Sequence, residues 1–275
     1  MRSANVVVSV VGTIGVLLGA VMAWKWRHLE REHDDPTNWS RRDHAVFALR
    51  DVLVVLSAGT ITGVLVLGFG GRLVMRALAA TSGDGAQGRL TEADEVVGQI
   101  TAGGTIAFLV FVGLLGGLVT AALHLVARRW LPRRADRLGA ILAVVLVGTI
   151  GVLDPLSPDN VDFAILRPRW LAVLLVAGCG VLFALAYAAC VTWLDGWVRA
   201  GGSRRFVLIA AAPMALAIFV PVVAAVYVGA RAFAQGRFSA VLDRHGTRLV
   251  GRWAVAIAIL LAGFTATRAI VDILA

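Results

Sequence analysis

Long apolar stretches alternate with short, arginine-rich connections along this chain. Most of the stretches have the ~17 to 25 residues that a helix needs to cross the ~30 Å hydrocarbon core of a bilayer. A strand of a membrane barrel would alternate polar and apolar residues, and these stretches do not, so each is predicted to be a helix. The pattern predicts an all-α fold, a polytopic transmembrane helical bundle of about seven spans. The spans lie at roughly 5–24, 46–70, 102–126, 138–153, 170–193, 206–230 and 250–272.

The composition agrees with a membrane protein. Hydrophobic residues make up 59% of the 275 residues and charged residues 16%, whereas soluble domains have ~45 to 50% apolar and ~25% charged residues. No connection reaches the ~50 residues of an independent soluble domain. A single transmembrane helical domain is therefore predicted over residues 1–275.

The net charge of +9 comes from arginines beside the span ends, so we expect no nucleic-acid partner. Basic residues near span ends are retained in the cytoplasm. Counted alternately, residues 25–50, 127–137 and 195–205 hold fourteen basic residues and the opposite connections hold eleven. The count predicts an amino end outside and a carboxyl end in the cytoplasm. The wealth of Arg, Ala, Gly and Val is typical of a high-GC bacterium, so the plasma (inner) membrane is the expected location.

Pairs of glycines four residues apart recur within the apolar stretches. Such pairs let two helix backbones approach closely, which predicts tight packing within the chain. A homo-oligomer or a membrane protein partner on these Gly-rich faces is the alternative, and the lipid bilayer is the expected surrounding. The pairs are Gly15 and Gly19, Gly59 and Gly63, and Gly113 and Gly117.

One heptapeptide, VGTIGVL, occurs at residues 11–17 and again at residues 147–153, in spans predicted to run in opposite directions. Inverted repeats are typical of secondary transporters. The match does not extend beyond the heptapeptide, which favours chance recurrence. A small-solute or ion transporter nevertheless remains an alternative function.

Two short motifs have the spacing of a capping box, in which a Ser or Thr and a later acidic residue satisfy free amides at a helix start. They are Ser40 with Asp43 and Thr91 with Asp94. They predict helix starts just before the second and third spans.

Few ionisable residues lie inside the apolar stretches, where such groups are costly and become functional candidates. We predict a charge network of Asp51, Arg268 and Asp272, because the last two are four residues apart on one helix face. Snorkelling to the interface and structural pairing are the alternatives to ion coupling. His124 is the only histidine inside a span, which argues against a haem held between helices.

Acidic residues gather in the two connections expected outside the membrane. Carboxylates there could bind a hard cation, or they could cap helices and pair with nearby arginines. The spacing matches no EF-hand loop, so no metal is predicted. The candidate outer-loop acidic site consists of Glu92, Asp94, Glu95, Asp154, Asp159 and Asp162.

Common catalytic motifs are missing from the sequence, among them H-E-x-x-H, G-x-S-x-G, the P-loop and C-x-x-C. No catalytic residue and no cofactor is predicted. We expect a non-enzymatic accessory or interaction protein, with a transporter as the first alternative and a membrane-embedded enzyme as the second.

The run GRLTEADEVVGQITAGGT (Gly88 to Thr105), followed by a Gly-rich span and by DNVDFAIL (Asp159 to Leu166), resembles a pattern in uncharacterised multi-pass membrane proteins of high-GC, actinobacterial-type bacteria. The resemblance covers roughly residues 60–195. It implies the fold and the compartment, and it assigns no activity, cofactor or functional residue.

Overall fold

A computed structural model of the chain describes residues 41–92, 95–214 and 245–275. These residues are helical, with irregular connections and no strand of regular length among them. The predicted first span and residues 215–230 of the sixth lie outside the described residues. The helices are α1 (Arg41–Thr62), α2 (Gly71–Thr81), α3 (Ala102–Phe108), α4 (Leu115–Ala127), α5 (Ala135–Leu146), α6 (Asp162–Ile165), α7 (Arg169–Met214) and α8 (His245–Leu274).

Three π-helical segments continue α-helices without interrupting the helical path. They are π1 (Gly63–Gly70) between α1 and α2, π2 (Leu109–Leu114) between α3 and α4, and π3 (Val147–Gly151) after α5. A π-helix closes its hydrogen bonds over five residues and usually occurs as a short insertion within an α-helix.

Four described helices are long and apolar enough to cross a membrane. They are Arg50–Thr81, Ala102–Ala127, Arg169–Val198 and Leu249–Leu274. They correspond to the second, third, fifth and seventh predicted spans. The all-helical class is therefore confirmed for the described residues, whereas the number of seven spans and the bundle topology stay predictions.

The structure differs from the sequence-based boundaries at two places. Residues 195–205, expected to be a loop, belong to α7, which is 46 residues long. Thr91 caps no helix: its hydroxyl accepts the amide of Glu95 at 3.2 Å in a turn. The third span begins at Ala102 instead, where the Thr101 hydroxyl accepts the amide of Gly104 at 3.0 Å.

The chain divides into two compact units, each described here by itself. Of the described residues, the first unit contains those within 41–58, 121–126 and 191–248, and the second contains those within 59–120, 127–190 and 249–275. The expected single domain stays a prediction.

Glycines set the distance between two membrane-capable helices in the second unit. A Cβ atom built on Gly63 would clash with the carbonyl oxygen of Gly113 and would lie 2.9 Å from the Cα of Gly117. A Cβ on Gly117 would clash in turn with the carbonyl of Gly59. Backbone therefore contacts backbone, which is the close approach that GxxxG pairs allow. Two of the three predicted glycine pairs face each other within the chain, and Gly15 and Gly19 lie outside the described residues.

Helix α8 runs parallel to α5 and π3. Its residue Gly251 packs against the indole of Trp130. Further along, the Thr265 hydroxyl donates to the carbonyl of Gly148 at 2.5 Å. At its end, the carbonyl of Ile273 accepts the Arg169 guanidinium at 3.4 Å.

This direction bears on the expected orientation of the last span, which stays a prediction. The count of basic residues predicts that the last span starts on the opposite side of the membrane from residues 127–137. In the structure, Gly251 near the start of that span contacts Trp130. The carboxyl end correspondingly lies on the side of Arg169, with the connection that was expected outside. The count assumed one crossing by residues 206–230, most of which lie outside the described residues.

Candidate functional site: a polar cap

Two connections of the second unit form the polar cap, defined as residues 82–92, 95–101 and 154–168. In the first connection, Leu90 and Val96 form an antiparallel bridge. The amide of Thr91 donates to the carbonyl of Glu95 at 2.9 Å. Gly88 and Gly98 flank this hairpin with φ of +78° and +87°, a left-handed conformation that favours glycine. The glycines explain why the segment turns back instead of starting a helix.

Side chains join the two connections of the cap. The Asp162 carboxylate accepts the backbone amide of Glu92 at 3.0 Å. The Ser82 hydroxyl accepts the backbone amide of Arg167 at 2.9 Å. Both contacts link segments that are at least 70 residues apart in the chain. The hairpin and the second connection are therefore fixed to each other.

Asn160 organises the second connection from within. It is buried, its side-chain oxygen accepts the amide of Asp162 at 2.8 Å, and its Nδ2 donates to the carbonyl of Asp154 at 3.3 Å. A buried polar side chain is retained at little cost when its hydrogen bonds are made within the protein. Asn160 thus holds Asp162 in position to receive the hairpin.

An apolar cluster supports the cap. Leu156 and Phe163 from the second connection pack with Leu78 of α2, Val173 of α7 and Ile273 of α8. These side chains are buried, and burying such side chains is worth roughly 1.5 to 3 kcal/mol each. The cap is thereby attached to the ends of three helices.

Partial burial raises the pKa of the Asp162 carboxyl. The Glu92 amide opposes this effect, and the negative charge of Asp154 adds to it. The surroundings of Asp162 therefore disfavour its ionised form, although the carboxyl group still accepts the amide that joins the two connections.

Glu95 connects the cap to the helices below it. One of its carboxylate oxygens lies 3.9 Å from the Arg72 guanidinium, which itself lies 5.1 Å from the ring centroid of Phe108. The carboxylate also lies directly over Gly104, where no side chain intervenes. This position is in the first turn of α3, where the partial positive charge of the helix end favours an anion.

The predicted acidic residues thus have different surroundings. Glu92 contributes its backbone amide, Asp154 its carbonyl, and Asp159 an amide that lies 3.4 Å from the Ser157 hydroxyl. Asp94 lies outside the described residues. Among the described histidines, cysteines and acids, no three come together in a way that could hold a metal ion. A ligand at these residues stays a prediction.

Of the predicted charge network of Asp51, Arg268 and Asp272, the structure shows the contact between Arg268 and Asp272 on α8. The Arg268 Nε and an Asp272 carboxylate oxygen are 3.7 Å apart, with side chains 73% and 50% exposed. Asp51 belongs to the other compact unit, so its part in the network stays a prediction.

A second charge pair, Arg50 with Asp195, was not predicted from the sequence. The Arg50 side chain is only 8% exposed, and its Nη2 donates to an Asp195 carboxylate oxygen at 2.7 Å and to the Asp195 carbonyl at 3.1 Å. The same unit buries Ser57 and His124. Asp195 is the only acidic residue of α7. A single acid in a long apolar helix is the sequence feature that could have indicated a buried charge pair.

Comparison with known proteins gives no match to a family model, to a curated protein or to a solved structure. The polar cap and the Arg50–Asp195 pair are therefore interpreted from their own geometry.

Proposed function

We propose that this chain is a non-enzymatic accessory protein of a bacterial plasma membrane, and that the polar cap is the surface it offers to a protein partner. The main support is that hydrogen bonds fix the two connections of the cap to each other. These bonds join Glu92 to Asp162 and Ser82 to Arg167. A preorganised surface loses less conformational entropy on binding than a flexible loop does.

The packing below the cap supports a structural role for the helices. Backbone contacts at Gly63 and Gly117 leave no room for a solute between the two helices at these glycines. In the most apolar 18-residue stretch of Leu249–Leu274, 11% is buried within the protein. The corresponding share for Arg50–Thr81 is 67%. Exposed side chains such as Leu260 and Phe264 are compatible with lipid contact.

The proposed orientation has the polar cap outside the cell. The connection at residues 127–137 carries five arginines, and arginine-rich connections are retained in the cytoplasm. Because α8 runs from that connection toward the cap, Arg252 joins the arginine-rich end and the carboxyl end lies with the cap. A reporter enzyme that is active only outside the cytoplasm, fused after Ala275, tests this: it should be active, and an inactive fusion in a folded protein contradicts the orientation.

Site-directed crosslinking tests the partner role. A photoreactive amino acid at position 159, which is exposed on the cap, should give a defined adduct in living cells. The same amino acid at position 133, exposed at the other end of the unit, should not. The adduct should also be lost when Asp162→Lys disturbs the junction with Glu92. Absence of an adduct from positions 159 and 154, or equal adducts from position 133, would contradict the proposal.

The Arg50–Asp195 pair favours transport as the second candidate function. Paired charges among apolar helices often mark ion or proton pathways, and Arg50 is 8% exposed. The test is Asp195→Asn in proteoliposomes under an imposed pH gradient. Loss of proton flux with an unchanged folded fraction supports transport, and a wild-type protein that carries no flux removes the candidate.

A further inference from the structure

An open cavity of about 540 Å³ lies at the amino end of the apolar part of α8, on the side of the second unit away from the polar cap. Three arginines line it: Arg129, Arg137 and Arg252. Trp130 and Ile141 supply an apolar wall. None of the lining residues is acidic. We call this the arginine cavity.

The arginine cavity lies at the ends of two membrane-capable helices, where we expect the lipid headgroups. Arg129 follows the last residue of α4 by two positions, and Arg252 lies in the first turn of the membrane-capable segment Leu249–Leu274. The Trp130 indole packs on Gly251, where the missing side chain admits the ring. Tryptophan and arginine at span ends are the residues that meet the membrane interface.

The positive charge of the cavity is not neutralised from within the described part of the unit. Asp136, the adjacent acid in the sequence, forms two hydrogen bonds with Arg134 at 3.2 and 3.1 Å. Hydrogen bonds from the backbone amide of Arg137, the larger effect, and from the Arg134 side chain lower the pKa of Asp136. Asp136 is therefore ionised and paired with Arg134. Among the described residues, no hydrogen bond or ion pair engages the guanidinium groups of Arg129, Arg137 and Arg252, which line the cavity.

We propose that the arginine cavity binds the phosphate group of an anionic phospholipid headgroup. Guanidinium groups are suited to phosphate, because each presents several donors in a planar fork. Basic pockets at the ends of membrane helices bind anionic headgroups in this way. Trp130 and Ile141 lie where the glycerol and the first methylenes of the lipid would follow. Arginines that only set the orientation of the spans need to lie near the membrane but need not share a cavity. Three arginines lining one cavity predict a site that binds one lipid per protein.

The test uses the full-length protein in a mild detergent, titrated with phosphatidylglycerol or phosphatidylcholine and observed by native mass spectrometry. Wild type should retain one phosphatidylglycerol in preference to phosphatidylcholine. Each of Arg129→Gln, Arg137→Gln and Arg252→Gln should weaken phosphatidylglycerol binding about fivefold, the effect of one arginine near an anionic headgroup. These arginines are exposed, so the variants should keep the unfolding temperature of the lipid-free protein.

Two matched controls and one competitor complete the experiment. Arg133→Gln, an exposed arginine of the same connection outside the cavity lining, and Arg89→Gln, on the polar cap, should leave the affinity unchanged. Inorganic phosphate at millimolar concentration distinguishes the source of the anion: failure to displace the lipid supports a headgroup site, and full displacement would overturn it in favour of free phosphate. Equal retention of both lipids, or equal losses in the two control variants, would also overturn the proposal.

Discussion

The Nη2 atom of Arg50 lies 2.7 Å from the Oδ1 atom of Asp195, which is 145 residues further along the chain. The Arg50 side chain is 8% exposed and the Asp195 side chain 30%. A charge-assisted hydrogen bond of this length is among the stronger polar contacts in proteins. The pair therefore ties α1 to α7 within the first compact unit.

A double-mutant cycle with Arg50→Met and Asp195→Asn should give a coupling energy of about 1 to 3 kcal/mol in the free energy of unfolding, because the two groups share a partly buried contact. The matched control is the cycle with Arg268→Met and Asp272→Asn, whose side chains are 73% and 50% exposed. That coupling should stay below about 1 kcal/mol. Equal couplings in the two cycles would show that the Arg50 pair has no special role in stability.

Gly63→Ala should destabilise the protein by about 1 to 3 kcal/mol, since the added methyl group meets the Gly113 carbonyl and the helices must separate. Gly178→Ala in α7 is the matched control, because nothing lies within 4 Å of the Cβ position there. It should be neutral or stabilising by up to about 1 kcal/mol from helix propensity. Reversible unfolding in mixed micelles measures both. A neutral Gly63→Ala would argue against backbone contact between the two helices.

Thr265→Val should cost about 0.6 to 1.7 kcal/mol, the range measured for hydrogen bonds between membrane helices. The Thr265 hydroxyl reaches the Gly148 carbonyl of π3 at 2.5 Å. Thr267→Val is the control, because the Thr267 hydroxyl bonds only within its own helix, to the Gly263 carbonyl at 2.8 Å. A larger loss for Thr267→Val than for Thr265→Val, in the same unfolding assay, would contradict the parallel packing of α8 on π3.

Asp162→Asn should leave the free energy of unfolding unchanged or slightly higher near neutral pH. Burial raises the pKa of Asp162 in the folded protein above its ordinary value of 3.8. Its ionised form therefore costs stability above the folded pKa, and this cost disappears as the pH falls through that pKa toward 3.8. The amide side chain of the variant would keep an oxygen for the Glu92 amide without a charge to desolvate.

Thermal unfolding of Asp162→Asn and wild type at several pH values checks this sign. The advantage of the variant should shrink as the solution is acidified, because wild type then becomes protonated. Asp159→Asn is the control, on the same connection but exposed, and should match wild type throughout. A variant that is less stable than wild type at neutral pH would indicate that the carboxylate charge itself holds the cap together.

Local sequence pattern predicted four of the membrane-capable helices and one close helix contact, but it did not predict the charge pair between distant helices. Four of the predicted spans have a matching helix, since their apolar length alone decides whether they can span. The glycine pairs at Gly63 and Gly117 were predicted for the same local reason. The partner of Arg50 was missed because the sequence offers no rule that connects it to Asp195 across 145 residues.

The failed capping prediction has a different cause. Thr91 has the residue type and spacing of a capping box with Asp94, whereas Thr101, which caps the helix, has Gly104 at that spacing. The left-handed glycines at positions 88 and 98 turn the first segment into a hairpin, which leaves Thr101 to cap the helix. Conformational freedom at two glycines therefore outweighed a motif that had the correct residue types.

The three π-helical segments have a consequence for the phase of the helices. One residue corresponds to about 100° of rotation in an α-helix, so a residue accommodated by a π-turn changes which side chains beyond it face a given neighbour. Segment π1 begins at Gly63, the site of the glycine contact, and ends two residues before Arg72 in α2. The angular offset between the packed face and the arginine that meets Glu95 therefore depends on the length of this segment. A one-residue deletion among residues 64–70 would turn Arg72 away from Glu95, although Gly63, Arg72 and Glu95 are all unchanged.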